Sequence, residues 1–402
     1  MILNGRNSLP YYIHNFLQEQ HTSSNHHAYD VREVKSAQQK IWIVKFNQQF
    51  QGDWCDEIKA GGNQVVVRQW KGSARWWNLN SNQSSHESIA RAEVAAYRIA
   101  YKALPNLWIP KVLHFDSYSD QDSSIYPWAI FSYVGENAAH FHSGKVYTEE
   151  WIHGMITVRH EFGFDEPHPR WGRVPVERSL EYAAKILHTV IIPLHQYLSK
   201  QTNLHWDDLC SDGKGYTYEH MINVYLKAYT KFREMSTISD VDEYQMQLSH
   251  VIDTLGIYIS KAFVDSSNIN PLPMVLVHMD CQPQNMIFCR SKDVTYITSV
   301  LDWEEAAYAD PRFELLLLCR KVCANRMQAD LIWNMYETEY QLLGDITPWL
   351  RLEAIHSLTT LILQFRNLQQ GGRSPWESNK DLFMKIDREL YRLNELTFDA
   401  NA

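Results

Sequence analysis

The chain has no run of about 18 apolar residues, the length a helix needs to cross a bilayer, and no basic stretch leading into an apolar core at its N-terminus. Both absences exclude a membrane partner and lead us to expect a soluble, cytoplasmic protein. Positive charge is also in short supply, since 38 Lys and Arg against 47 Asp and Glu leave a formal charge of −9. With no basic run to collect phosphates along a backbone, a nucleic-acid polymer is excluded as the expected partner, whereas a cationic small substrate fits the acidic balance. Cysteine is sparse as well. Cys55, Cys210, Cys281, Cys289, Cys319 and Cys323 show neither zinc-site pairing nor the density of a disulfide scaffold. Cys319 and Cys323 stand four apart in an apolar helical run and read as buried thiols. No internal repeat of the solenoid or propeller kind is present.

What the chain does contain is length, rings and a change of periodicity. Its 402 residues suffice for two lobes with separate cores, and 14 Trp supply large side chains for packing or for lining a pocket. Residues 1–28 form a polar N-terminal extension in which Tyr11 to Leu17 could make a short helix. Alternating apolar residues then predict strands over Tyr29 to Val34, Lys40 to Phe46 and Gln64 to Trp70, with a polar connection over 47–63 that ends in the turn Gly61-Gly62-Asn63. Ser84 and Glu87 form a capping-box pair ahead of a helix with Ile89, Ala92, Ala96, Ile99, Ala100 and Ala103 on its apolar stripe. Two more strands are expected over Pro110 to Phe115 and Tyr126 to Gly135. Beyond them helical periodicity dominates, over Val176 to Leu198, Thr217 to Met235, Val241 to Ala262, Phe313 to Leu342, Pro348 to Gln369 and Asn379 to Leu396. The irregular stretch from Thr157 to Pro175 mixes rings, charges, Gly and Pro, as either a substrate loop or a packed surface loop would.

The chemistry is concentrated between Val275 and Glu304. Apolar strands at Val275–Val277, Met286–Phe288 and Thr295–Leu301 end in polar residues, and His278, Asp280 and Asn285 stand in an HxDxxxxN spacing with Asp302 and Glu304 one hairpin later. A rigid scaffold presents reactive groups at such strand ends. Phosphoryl transfer needs one carboxylate to orient an attacking hydroxyl and oxygen ligands for the magnesium that neutralises a triphosphate. Asp280 suits the first task, Asn285 and Asp302 the second. The sixteen residues between Asn285 and Asp302 allow the strand, turn and return that would bring these ligands together. His278 reads as a group that holds the catalytic loop by hydrogen bonds. Cys281 has no positioned base that would make it a nucleophile.

These residues resemble the aminoglycoside phosphotransferase and choline kinase superfamily, protein-kinase relatives that phosphorylate small molecules. The aminoglycoside phosphotransferase-like branch matches better, because Asp302-Trp303-Glu304 is followed by Asp310-Pro311. The resemblance implies an α+β, two-lobed kinase-like fold: a nucleotide-binding sheet lobe with one helix at 29–135 and a mainly helical lobe at 136–402 that carries the catalytic loop and a substrate pocket. It implies Asp280 as the catalytic base, on a catalytic loop that includes His278, and Asn285, Asp302 and an accessory Glu304 around magnesium. ATP binding is implied for Arg68, in place of the family's usual Lys, paired with Glu93, with Lys71, three residues farther along, as the alternative cation. Burial beside the helix's apolar stripe gives Glu93 a physical reason to seek a cation. The turn Lys35 to Lys40 lacks glycine, so phosphate contacts would fall to backbone amides and to Ser36, Gln38 and Gln39. A nucleotide base would lie against the strand carrying Ser132, Tyr133 and Val134. The implied activity is ATP- and Mg²⁺-dependent phosphorylation of a hydroxyl on a small molecule. A protein kinase is disfavoured by the direct passage from Asp302 to Asp310-Pro311 and a helix. A pseudokinase interaction module is disfavoured by intact Asp280, Asn285 and Asp302, although the glycine-free turn favours it slightly.

Overall fold

The computed structural model describes residues 9–20, 29–34, 39–47, 53–71, 86–117, 126–134, 152–153, 176–199, 215–235, 243–291, 294–323, 326–369 and a few positions between 384 and 391. Ser36 and Gln38 of the expected phosphate turn, Ser84 of the capping box, nearly all of 151–175 and most of the helix expected at 379–396 lie outside them. In chain order the first elements are α1 (Tyr11–Gln20), β1 (Tyr29–Val34), β2 (Gln39–Phe46), α2 (Cys55–Ala60), β3 (Gln64–Trp70), α3 (His86–Ala103), β4 (Val112–Asp116), β5 (Trp128–Ser132) and β6 (Ile152–His153). Then come α4 (Val176–Ile186), a π-helical turn at Leu187–Ile191, α5 (Ile192–Ser199), α6 (Tyr218–Met235) and α7 (Glu243–Ser266). The chain continues through β7 (Val275–Val277), β8 (Met286–Ser291), β9 (Val294–Val300), β10 (Ala307–Ala309), α8 (Arg312–Lys321), α9 (Arg326–Glu339) and α10 (Thr347–Gln369).

Two compact units result. The first draws on residues within 1–165, 184–214 and 278–307, so the segment 278–307 groups with the sheet. Its sheet has the order β1-β2-β3-β5-β4, with every neighbouring pair antiparallel. The register Trp42 opposite Val67 opposite Ile130, with Val44 opposite Val65, puts these side chains on one face. That face is closed by Ile13 and Leu17 of α1 and by Ile58 of α2. Ile13 and Leu17 are one helical turn apart and both fully buried, which makes α1 part of this core. The opposite face carries Arg68, opposite Ile41 and Ala129, together with Phe131, whose ring packs 4.8 Å from that of Tyr97 on α3.

Three local readings needed the folded chain. The connection 47–63 contains α2, and its end does make the expected turn, with Gly62 and Asn63 at φ 67° and 62°. The helix expected from Val176 to Leu198 passes through the π-helical turn. There the Ile192 N–H bonds to the Leu187 carbonyl five residues back, just before Pro193, which has no N–H to give. The run Phe313 to Leu342 forms two helices, because α8 stops at Lys321 with Val322 as its cap. Apolar periodicity continues across that break and cannot register a change of helix axis. It follows that Cys319 is buried within α8 whereas Cys323 lies beyond its end, half-buried.

The second unit draws on residues within 166–183, 215–277 and 308–402. Helices α6, α7 and α10 pack on one another, and α8 packs on both α9 and α10. Asp310 and Arg312 form a buried, two-pronged ion pair at 2.6 and 2.9 Å. Arg312 also donates to the carbonyls of Leu343 and Asn270, and it lies 4.4 Å over the Trp349 ring. The Asp-Pro that carried the resemblance in the sequence is therefore here a packing anchor, with Arg312 as its missed partner.

His195 on α5 is fully buried, and burial lowers its pKa to about 3. In the unfolded chain a histidine titrates near 6.5, so between these values the unfolded state holds the extra proton. Its contribution to stability is complete above pH 6.5 and is lost as pH falls, by about 1.4 kcal/mol per pH unit. Urea unfolding at pH 7.5, 6.0 and 5.0 is expected to show a shallower acid loss for His195→Leu than for the wild type. Parallel losses would count against a neutral, buried His195.

Candidate active site

The loop that follows β7 is held by its own short-range bonds. His278 is fully buried, and burial lowers its pKa, with Asp280 acting in the opposite direction. Its Nδ1 accepts the Asp280 N–H at 3.3 Å and its Nε2 donates to the Leu301 carbonyl at 2.9 Å, an arrangement that requires the neutral Nε2–H tautomer. The ring also packs 4.5 Å from that of the buried Trp303. His278 thus braces the loop through the hydrogen bonds expected of it. Between them, Met279 is buried at φ 63°, a left-handed conformation that costs a side-chain-bearing residue about 1–2 kcal/mol.

Asp280 is fixed through both carboxylate oxygens. Oδ1 accepts from Gln282 Nε2 at 2.8 Å and Oδ2 from Asn285 Nδ2 at 2.7 Å, while the same Asn285 nitrogen reaches the Asp280 carbonyl at 2.9 Å. A short 3₁₀ turn at Pro283–Asn285 then delivers the chain into β8. The β8–β9 hairpin pairs Met286 with Val300, and the Asn285 carbonyl accepts the Leu301 N–H at 2.7 Å. Asp302 is the next residue. It sits at φ 62°, its N–H donates to the Tyr97 hydroxyl at 3.1 Å, and its side chain is 41% exposed.

Arg68 is the electrostatic centre. Its guanidinium lies 2.7 Å from Glu93 and 2.8 Å from Glu304, and both terminal nitrogens stand 3.4 Å from Asp302 Oδ1. Its Nε donates to Gln39 Oε1, and Gln39 Nε2 donates to Glu304 Oε2 at 2.5 Å. Glu93 takes a further hydrogen bond from Trp70 Nε1 at 2.7 Å. Burial would lower the Arg68 pKa, but Glu93, Asp302 and Glu304 outweigh it and raise it. Burial pushes Glu93 up to about 8 against the pull of Arg68. Glu304 is pushed up to about 7 by burial and by Asp302, again with Arg68 opposing. One guanidinium faces three carboxylates, so with all of them ionised two negative charges stay uncompensated.

The pairing of Arg68 with Glu93 thus appears as expected, but two residues take other places. Gln39 is buried in the Arg68 cluster, where its amide is spent on Arg68 and Glu304 and not on a phosphate. Glu304 Oε2 likewise receives donors from Arg68 and Gln39, so this oxygen of the expected accessory ligand is a partner of Arg68. The Ser132 N–H donates to the Lys111 carbonyl, so it is not offered to a base, and its hydroxyl oxygen accepts the Lys111 N–H. Tyr133 and Val134 follow it, partly exposed. Sequence reasoning missed Gln282, Tyr97, Trp70 and Trp303. Trp70 alone left a signal, standing two residues from Arg68 and so on the same face of β3.

The donor set suits magnesium, a hard cation that prefers oxygen ligands. Asn285 has committed its amide nitrogen to Asp280, which assigns its oxygen to any ligand, and Asp302 supplies an exposed carboxylate beside the uncompensated charge. Among the described residues no group of three or more His, Cys, Asp or Glu that could hold a metal ion occurs.

The model of a phosphotransferase enzyme family matches residues 262–345. No curated protein sequence matches the chain. Among solved structures, a Ralstonia eutropha protein assigned to the aminoglycoside phosphotransferases aligns with TM-score 0.55 at 14% identity, over 96% of this chain and 97% of its own. A spectinomycin phosphotransferase solved with ADP and spectinomycin aligns with TM-score 0.52 at 10% identity, over 96% and 98%. The ethanolamine kinase of Plasmodium vivax aligns with TM-score 0.51 at 12% identity, over 93% and 85%. At these identities the likeness is one of fold, α+β and two-lobed in the manner of the kinases. The chain thus shares the fold of these aminoglycoside phosphotransferases and of the ethanolamine kinase and, over 262–345, matches the model of the phosphotransferase enzyme family.

Proposed function

We propose that this protein transfers the γ-phosphate of ATP, with Mg²⁺, to a hydroxyl group of a small molecule in the cytoplasm. The observation that carries the reading is the carboxylate of Asp280, held by Gln282 and Asn285 at the end of β7 while Asn285 is tied to the residue before Asp302. Asp280 would orient the acceptor hydroxyl and receive its proton, because two donors fix both of its oxygens. The Asn285 amide oxygen and Asp302 would hold magnesium, which when bound neutralises charge on the phosphates. Arg68 and Glu93 belong to the nucleotide side of the site, and the backbone beyond Ser132, at Tyr133 and Val134, is where a base would bond. In this reading residues 29–135, completed by α1, bind nucleotide, and residues 136–402 carry the catalytic loop and recognise the acceptor.

A small-molecule acceptor is favoured over a protein by the short path out of the site. After Asp302 the chain makes one 3₁₀ turn at Trp303–Glu305 and the strand β10, then enters α8 at Arg312, leaving no length for an activation segment. ADP release from the purified protein should be measured with Mg²⁺ over a panel of aminoglycosides, macrolides, amino alcohols, sugars and a peptide mixture. Release above the hydrolysis background with one hydroxyl class is expected. Nucleotide binding without turnover on any compound would sink the enzyme reading in favour of an interaction module, and turnover on peptides alone would make it a protein kinase.

A further inference from the structure

We propose that Gln39 is a positioning residue that, together with Glu304, holds Arg68 back from Asp302 and so keeps that carboxylate available to magnesium-bound nucleotide. The proposal rests on the phosphotransferase reading above and goes beyond it, since the role expected of Gln39 from sequence was a phosphate contact and not a place beside Arg68 and Glu304.

The argument starts from the donors of one guanidinium. Arg68 spends Nε on Gln39, one terminal nitrogen on Glu93 at 2.7 Å and the other on Glu304 at 2.8 Å. Asp302 receives only what is left, at 3.4 Å from both terminal nitrogens, beyond the range of a strong charge-assisted bond. Gln39 closes a triangle, because it accepts from Arg68 and donates to Glu304 Oε2 at 2.5 Å, the same oxygen that Arg68 reaches. The plane of the guanidinium is therefore set on three sides. Without the Gln39 anchor the head group could turn and pair with Asp302 through both nitrogens, neutralising a carboxylate that a divalent cation needs.

An amide suits this position and a carboxylate does not. Gln39 is buried, and its place at the start of β2, opposite Trp70, aims it along the strand that bears Arg68. A Glu there would set a carboxylate against that of Glu304. The arrangement also accounts for arginine in place of lysine: a planar fork with five donors serves four partners at fixed angles, whereas an ammonium has three donors and no plane.

The test is a swap measured by binding, with a fluorescent ATP analogue titrated with and without Mg²⁺. Gln39→Glu is expected to weaken the Mg²⁺-dependent part of the affinity by about tenfold, as coupled neighbours in one network do. Adding Glu304→Gln restores the same acid, the same amide and the same net charge in exchanged places, and is expected to return affinity to within about threefold of wild type. Mg²⁺-free binding should change little in either variant, which separates positioning of Asp302 from general damage. If the swap stays as weak as Gln39→Glu, or if Gln39→Glu binds like wild type, the proposal is overturned. Should Gln39→Glu fail to fold, the swap alone decides, with wild-type affinity expected and lost affinity overturning it. Wild-type protein that binds no nucleotide overturns the phosphotransferase reading and this inference with it, whereas wild-type binding with an insensitive Gln39 overturns only the inference.

Discussion

Asp280→Asn is expected to lower phosphate transfer by about 10³-fold while leaving nucleotide affinity within about threefold of wild type. The substituted amide is nearly isosteric, so the loop should keep its shape, yet it cannot receive the proton of an attacking hydroxyl. It also cannot accept from both Gln282 and Asn285, because one of its two positions now carries donor hydrogens. The measurement is single-turnover transfer beside a nucleotide titration. Transfer at the wild-type rate would remove Asp280 from its assigned place. An equal fall in binding and in transfer would make Asp280 a nucleotide-binding group and not the orienting carboxylate.

Arg68→Met is expected to cost about 3–5 kcal/mol of folding stability, the penalty for removing one member of a buried charged network. Glu93 is fully buried and would be left with the Trp70 donor as its remaining partner shown here. Glu93→Gln added to Arg68→Met should recover a large part of the loss, because a neutral amide needs no counter-charge. Denaturant unfolding of the single and double variants checks this. Full stability in Arg68→Met would mean that the three carboxylates do not depend on the guanidinium. Arg68→Lys is expected to fall between wild type and Arg68→Met, since an ammonium keeps the charge but cannot hold Glu93, Glu304 and Gln39 at fixed angles.

Local signals carried the reading a long way where function and backbone agree. The HxDxxxxN spacing of His278, Asp280 and Asn285 specified a loop between two strands, because a buried apolar run of three residues followed by polar groups has few other structures open to it. The strands at 29–34, 40–46 and 64–70 announced themselves by period-two alternation, and α3 by its stripe of Ile and Ala. The pairing of Arg68 with Glu93 came from the family resemblance, and the cost of burying an unpaired carboxylate supplied its physical reason.

Other features have no trace in sequence because they depend on who meets whom across long separations. Gln39 reads as one polar residue in a polar turn until β2 pairs with β3 and the Asp302-to-Glu304 segment arrives beside them, 265 positions along the chain. Glu304 reads as a metal ligand by its closeness to Asp302, but its nearest cation in space is Arg68. The end of α8 at Lys321 is hidden by an apolar run that continues through it, and α2 by the polarity of its surroundings. Residue types and spacings were enough to specify the chemistry available at 278–304, since that chemistry rests on neighbours along a loop and a hairpin. How a single positive charge is divided among Glu93, Asp302, Glu304 and Gln39 depended on the folded chain, because Coulomb attraction and hydrogen bonding act through distance and angle, which sequence separation does not encode.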